Sequence, residues 1–531
     1  MARPVENLAG DWHKAASVQK LSEKKVLTVR IRERQIALFQ THEGIRACNN
    51  NCPHEGYPLA EGDLGQNCIL TCNWHNWKFD LNTGENLFGG DRLRTYPLEI
   101  RGDEIWINMQ DAPLEEQRSR VFESLQDAFD DYSYDRIGRE LARLSRLNTP
   151  VAEIMAAVVD WSFSRMEFGW THAYAGMADW LQLYDEYEGD EEVRLLSLTE
   201  IVAHTAYDVL REPVYPFTEN IAVYDEFLLL NAIEDEDEAR AIELIRGAFD
   251  AGLDYSDLEP ALSQAALAHY NDFGHSLIYV VKGGWLINRL GSAVALPLTL
   301  GLVRALVYAT REERIPEFRD YASILESWQE GGSETPNSSE WVGLGIKKSM
   351  QRTLASAKSK TEDLFQALLL ANARNLLSFD IRQHDKHHVT VSGNVGWLDF
   401  THGITFANAV RTQCEKYPEL WPSGLLQMAC FHGRNTAFTE SDQKVEDWVS
   451  GTTADELTNL FDIVIDHGQA EHIVSVHLLK TAMAAREELA MLGQDEQLQL
   501  LAAVKRFMVS PLKRRYLRRT AWQSLQFVAR E

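Results

Sequence analysis

The sequence predicts a small all-β domain followed by a large all-α domain, and three observations carry that prediction. The chain has 531 residues, too many for one hydrophobic core. Apolar residues alternate with period two up to about residue 108 and recur every three or four from about residue 120. Six cysteines in a chain of this size build no disulfide framework, yet two of them sit beside histidines in mirrored stretches, CPH at 52–54 and CNWH at 72–75.

In the β-rich part, VLTVRIRERQIALFQ alternates over short runs, THEG turns the chain, and LRTYPLEIRGDEIWINM has the form of a hairpin around Arg101, Gly102 and Asp103. Cys52 with His54, and Cys72 with His75, fall at the tips of two loops in this unit. Two thiolates on one iron and two imidazoles on the other form the ligand set of a Rieske [2Fe–2S] centre. A Cys-x-His loop facing a Cys-x2-His loop supplies one of each from either side. A structural zinc site with two Cys and two His is the alternative. Zinc ribbons and fingers usually bring like ligands in pairs, so the crossed order favours the cluster.

The run ACNNNCPHEGYPLAEGDLGQNCILTCNWHNWKFDLNTGE resembles Rieske ferredoxins and the Rieske domains of oxygenases, over roughly residues 10–110. The resemblance implies that Cys52 and Cys72 bind the buried iron, and His54 and His75 the outer one. The respiratory branch of that family adds an inter-loop disulfide and a serine hydroxyl that raise the potential. The corresponding positions here hold Tyr57, Trp74 and Trp77, which implies the lower part of the Rieske range and an electron-donating reductase as partner. Cys48 and Cys68, each four residues before a ligand, read as buried strand thiols.

MQDAPLEEQRSR at 109–120 reads as a polar hinge, which places the domains at 1–112 and 121–531. Beyond it, IGRELARLSRL, VAEIMAAVVDWSF, LEPALSQAALAHY, TEDLFQALLLANARNLL and ELTNLFDIVIDHG have helical spacing, and strand signals are scarce. QEGGSETPNSSE at 329–340 reads as a loop, and YDEYEGDEE and EDEDEAR as solvated acidic faces. No GxGxxG or GxxxxGK motif supports nucleotide binding. The usual catalytic partner of a Rieske domain is a β-rich fold with two His and one carboxylate on iron, and this helical half does not fit it.

Histidine supplies the candidates there: His172, His275, His402 and the group His467, His472 and His477. Singly, each is more readily a packed or surface residue than a ligand. Together, set in apolar helical segments where an unpaired imidazole is costly, they suggest a shared metal, and His477 and Lys480 lie at i, i+3 on one helical face. THAYAGMADWL, GHSLIYVVKGGWLI, THGITFANAVR and HLLKTAMA are similar, in order and spacing, to the questin-oxidase-like family over most of 150–500. These are helical nonhaem iron oxygenases acting on polycyclic aromatic quinones. That resemblance implies iron held by His172, His275, His402 and His477, with Lys480, carboxylated at its amine, as the oxygen ligand. Carboxylation turns a cation that a ferrous centre repels into a carboxylate that it accepts. Lys282, seven residues after His275, competes for the role.

The balance of 52 Lys+Arg against 79 Asp+Glu gives a net charge of −27, which disfavours nucleic acid and anionic lipid as partners. MARPVENLAGDWHKAAS has no apolar leader, and the longest apolar run, LGSAVALPLTLGLV, is too short to span a bilayer, so the expectation is a cytoplasmic protein off the membrane. The functional expectation is a Rieske-dependent nonhaem iron oxygenase. Its cluster delivers electrons to the helical His site, where His477 and Lys480 serve O2-dependent oxidation of a small organic, aromatic or quinone-like substrate. A homo-oligomer is compatible with this. Two alternatives stand beside it. One is a diiron centre drawing on Glu167, Glu200, Asp272 and Glu471 near His172, His204, His275 and His467, disfavoured because no Glu-x2-His motif repeats. The other is a Rieske electron carrier fused to a non-catalytic helical docking domain.

Overall fold

The computed structural model describes residues 10–269, 271–311, 314–513 and 515–531. Residues 1–9, part of the stretch read above for a leader, lie outside them. The chain divides into two compact units, with the division between Thr149 and Pro150.

In the first unit the described residues form strands β1 (Trp12–Ser17), β2 (Val26–Ile31), β3 (Arg34–Thr41), β4 (Gly44–Asn49), β5 (Asp63–Leu64), β6 (Ile69–Thr71), β7 (Lys78–Asp80), β8 (Asn86–Phe88), β9 (Leu98–Arg101) and β10 (Glu104–Asn108). They make three antiparallel sheets, ordered β1-β10-β9, β2-β3-β4 and β5-β6-β7-β8. THEG is the β3–β4 turn, with Thr41 opposite Gly44, and Gly102 turns β9 into β10 at φ +66°, where a side chain would be strained. The unbroken apolar run IALF in β3 has a structural cause, because the strand separates two cores. Ile36 and Leu38 pack with Leu21, Ile45, Ile105 and Ile107. Ala37 and Phe39 pack with Cys48, Leu70 and Phe79, and with the candidate ligands Cys52 and Cys72.

Cys48 is a fully buried β4 thiol, as expected. Cys68 is equally buried but is not a strand residue. It lies in the bend before β6 at φ +57°, and its thiol donates to Thr41 Oγ1 at 3.4 Å.

Residues 109–120, read from sequence as a hinge, lead into helix α1 (Leu114–Asp130), and α2 (Tyr134–Arg146) follows within the same unit. The fully buried Asp91 carboxylate ties α2 to the β-structure: Arg139 donates to both of its oxygens, at 3.0 and 2.7 Å, and Arg143 lies at 2.7 Å. Burial would raise the Asp91 pKa, but the two guanidinium groups outweigh it and hold it below the usual value.

The second unit is helical. The predicted segments appear as Val151–Ser162, Tyr255–Ala268, Thr361–Leu377 and Thr453–Ile465. The apolar run at 290–303 belongs to the buried helix Ser292–Val307, and among the described residues no helix is long and apolar enough to cross a membrane. Helices α3 (His172–Glu186), α4 (Glu191–Asp208), α5 (Asn271–Leu290), α6 (Trp397–Lys416) and α7 (His472–Glu488) are buried over most of their faces, while α8 (Leu517–Val528) is largely exposed.

Candidate metal centres

The mirrored sequence motif folds into mirrored loops. In the first, Cys52 N–H donates to the Tyr57 carbonyl and Gly56 N–H to the Cys52 carbonyl; in the second, Cys72 N–H donates to the Trp77 carbonyl and Asn76 N–H to the Cys72 carbonyl. Gly56 and Asn76, both four residues after a cysteine, take left-handed φ values of +76° and +62°, which Gly and Asn tolerate best. Both thiols are thereby turned inward, 4% and 1% exposed, and the Cys52 thiol meets that of Cys72. Burial pushes the Cys52 pKa up to about 11, against the backbone hydrogen bond at His54 that lowers it. The imidazoles point outward, with His54 Nδ1 and His75 Nδ1 3.0 Å apart. Two thiols inside and two Nδ1 atoms outside, converging from two loops, suit a cluster with sulfur ligands on the inner iron and nitrogen ligands on the outer. No disulfide joins the loops. Stacking of His54 on Trp77 (4.5 Å) and of Tyr57 on Trp74 (5.7 Å) does so instead.

The second centre is assembled from four helices. His172 opens α3, His275 lies in α5, His402 in α6 and His477 in α7. Their rings close a circuit, with centroids 4.7 Å apart from His172 to His275, 4.4 Å from His275 to His402, 5.1 Å from His402 to His477 and 4.8 Å from His477 to His172. Three of the Nδ1 atoms face a carbonyl four residues back on their own chain: His275 to Asn271 O (3.0 Å), His402 to Leu398 O (2.6 Å) and His477 to Ile473 O (2.6 Å). A carbonyl only accepts, so each of these Nδ1 atoms carries the proton and leaves Nε2 as a lone pair. His275 Nε2 then stands 2.9 Å from His402 Nε2 and 3.0 Å from His172 Nε2, and His477 Nε2 is buried with no partner among the described residues. A proton shared between facing lone pairs would relieve them, but burial first and then the Lys480 charge hold His275 near a pKa of about 3 and keep His172 and His477 well below their usual value. For His402, burial and the neighbouring His275 and Lys480 do the same. Neutral imidazoles with converging lone pairs are the donor set of a metal site.

Lys480 is 3% exposed, and its Nζ has no partner among the described residues. Burial lowers its pKa to about 7 despite the Asp179 carboxylate. Lys282 differs in having a counter-ion, since its Nζ lies 2.7 Å from Asp179 Oδ1. Burial pulls its pKa down, but Asp179 and Glu487 outweigh that and hold it raised. The two lysines, indistinguishable in sequence, are thus separated: Lys282 remains an ammonium, whereas Lys480 is readily a free amine.

The entry to α5 is irregular. Asn271, Asp272, Phe273 and Gly274 all have positive φ (43°, 44°, 66° and 89°), and the acceptor for His275 Nδ1 lies in this stretch. Such strain is retained where it positions a functional group. A Cβ at Gly274 would fall 2.1 Å from Phe406 Cδ2. Gly274→Ala is therefore expected to cost about 2–4 kcal/mol and to lower the metal content of the second unit, checked by denaturant unfolding alongside metal analysis.

His467 and His472 do not join this site. Glu200 Oε2 lies 3.5 Å from His467 Nε2 and 3.6 Å from His472 Nδ1, and His204 stacks on His472. Asp208, beside His204, accepts from the hydroxyl of Thr171, the residue that caps α3 just before His172. Sequence reasoning did not find the Asp208–Thr171 contact, which carries no motif. Glu167 is exposed, Glu471 lies 3.7 Å from Arg515, and no carboxylate of the described residues joins His172, His275 and His402 in one ligand group.

Residues 11–93 match the family model described as Rieske [2Fe-2S] domain. The ferredoxin component of the alkene monooxygenase system of Xanthobacter autotrophicus is 29% identical over 105 residues, 20% of this chain and 78% of that protein. The 3-phenylpropionate/cinnamic acid dioxygenase ferredoxin subunit of Escherichia coli K12 is 34% identical over 79 residues, 14% of this chain and 74% of that one. Among solved structures, the ferredoxin of carbazole 1,9a-dioxygenase from Nocardioides aromaticivorans IC177 aligns at 20% identity and a TM-score of 0.18, covering 19% of this chain and 98% of that chain.

Proposed function

Because the chain belongs, through residues 11–93, to the Rieske [2Fe-2S] domain family, we propose that it is a Rieske-dependent oxygenase in which the first unit supplies electrons to a nonhaem iron site in the second. The [2Fe–2S] cluster would supply one-electron transfer and the iron would supply dioxygen activation. Cys52 and Cys72 would hold the inner iron of the cluster, and His54 and His75 the outer one. In the helical unit His172, His275, His402 and His477 are the imidazole ligands. Lys480, as a neutral amine, forms an N–C bond to carbon dioxide and releases one proton; the resulting carboxylate supplies the oxygen ligand that the imidazoles lack. The substrate is a small organic molecule of aromatic or quinone-like type, and the electron donor is a reductase.

The observation that carries this reading is the facing of His275 Nε2 and His402 Nε2 at 2.9 Å with both Nδ1 protons donated elsewhere. One support lies outside the site: the matched relatives are ferredoxin components of monooxygenase and dioxygenase systems. Nitric oxide added to the anaerobically reduced chain tests the reading. The expected result is a high-spin ferrous nitrosyl EPR signal that His402→Ala abolishes while the reduced cluster signal persists. A chain that shows the cluster signal alone contradicts an iron oxygenase and leaves the docking-domain alternative.

A further inference from the structure

A cavity of about 380 Å³ lies at the first turns of α6 and α7, walled on another side by α8, and its size is that of a small-molecule site. Leu398 and Ile473 line it, and these are the residues whose carbonyls accept the Nδ1 protons of His402 and His477. The cavity therefore backs onto the histidine group one helical turn away.

Its charge runs against that of the chain. Although the net charge is −27, Lys513, Arg515 and Arg519 all line the cavity. The acidic residues on its walls are matched: Asp399 pairs with Arg434 at 3.2 Å and accepts from Gly396 N–H, and Glu471 lies 3.7 Å from Arg515. The carboxylate facing Lys513 is the exposed Asp385, at 3.9 Å. Arg519 is 4% exposed and forms no ion pair with any described residue. It donates to the Lys386 and Gln383 carbonyls and lies over the Tyr516 ring at 4.2 Å. The two carbonyls satisfy its Nε and one Nη but carry no charge, so the guanidinium keeps a full positive charge at the cavity wall.

Two ring nitrogens on the same walls, His384 Nε2 and Trp397 Nε1, are buried without a partner among the described residues. His384 Nδ1 is paired with the Tyr516 hydroxyl. Burial, then Lys513 and Arg519, lower the His384 pKa, so its imidazole is neutral and adds no competing charge.

We propose that this cavity binds an aromatic carboxylic acid as its carboxylate, with Arg519 and Lys513 taking the anion and Trp397 and Tyr516 flanking the ring. The N–H groups of Arg519 that the two carbonyls leave over can donate to a carboxylate, and a flat aromatic wall matches a ring.

The test is calorimetric titration of the full chain with 2-naphthoate and with 2-naphthamide, its uncharged counterpart. Wild type is expected to bind the acid at least tenfold more tightly than the amide. Arg519→Gln and Lys513→Met should each remove most of that preference and leave amide binding unchanged. Lys513 is partly exposed, so its variant keeps the test decisive if Arg519→Gln does not fold. Equal affinity for acid and amide in wild type, or a preference that survives in Lys513→Met and in any Arg519→Gln that folds, overturns the proposal. Selective naphthoate binding by a chain with no iron in the second unit supports the cavity and removes the oxygenase reading. Iron in that unit without naphthoate binding removes this proposal alone.

Discussion

Lys480→Met is expected to abolish substrate oxidation and strip iron from the second unit, to leave the reduced cluster signal unchanged, and to raise the stability of the metal-free chain. The gain follows from burial of the amine, which lowers its pKa from 10.5 to about 7. Below pH 7 the native state must hold a buried ammonium without a partner, at a cost of roughly 5 kcal/mol for a shift of that size. Between pH 7 and 10.5 the unfolded chain binds the proton that the folded chain has lost, so the stability of the wild type climbs with pH across that window. The variant lacks this slope, and its advantage is full at pH 6 and fades toward pH 10. Denaturant unfolding at several pH values, with metal analysis on the same samples, checks both halves. If Lys480→Met keeps iron and activity while Lys282→Met loses both, the oxygen ligand is Lys282.

Cys72→Ser should have the complementary effect. The thiol is 1% exposed within the core of Phe39, Leu70 and Phe79, so a hydroxyl there costs about 1–3 kcal/mol and would remove a proposed ligand of the inner iron. The visible absorbance and EPR signal of the cluster are expected to vanish, and turnover with a reductase to fall to background. The second unit should keep its iron and regain turnover with a small artificial reductant. If reductase-driven turnover persists without the cluster, the first unit is not the electron donor.

Much of the first unit was legible because its information is local. The Rieske domain at residues 11–93 is announced by the Cys-x-His and Cys-x2-His spacing of Cys52, His54, Cys72 and His75, and the turns at THEG and Gly102 are properties of a few adjacent residues. The IALF run of β3 could not be placed in the same way, since burial on both faces is decided by what packs on either side. Nor did composition show that residues 114–146 fold within the first unit, because the Asp91 pairs with Arg139 and Arg143 span about fifty residues.

In the second unit the sequence offered six histidines of similar setting. Only the packing of α3, α5, α6 and α7 separates His172, His275, His402 and His477 from His467 and His472, which turn to Glu200 instead. The choice between Lys480 and Lys282 was likewise open, since both sit near a histidine on a helical face. It turns on Asp179, a residue with no sequence mark of its role. The left-handed stretch at Asn271–Gly274 and the burial of Arg519 against the Gln383 and Lys386 carbonyls were invisible for the same reason: each is defined by a tertiary neighbour.

Iron counted per chain, in protein purified without oxygen and with zinc counted alongside, decides whether the helical unit holds a metal of its own. About three irons are expected, two in the cluster and one in the helical unit, falling to about two in His402→Ala with the cluster signal intact. A wild-type chain holding two irons, unchanged by that substitution, would contradict that expectation.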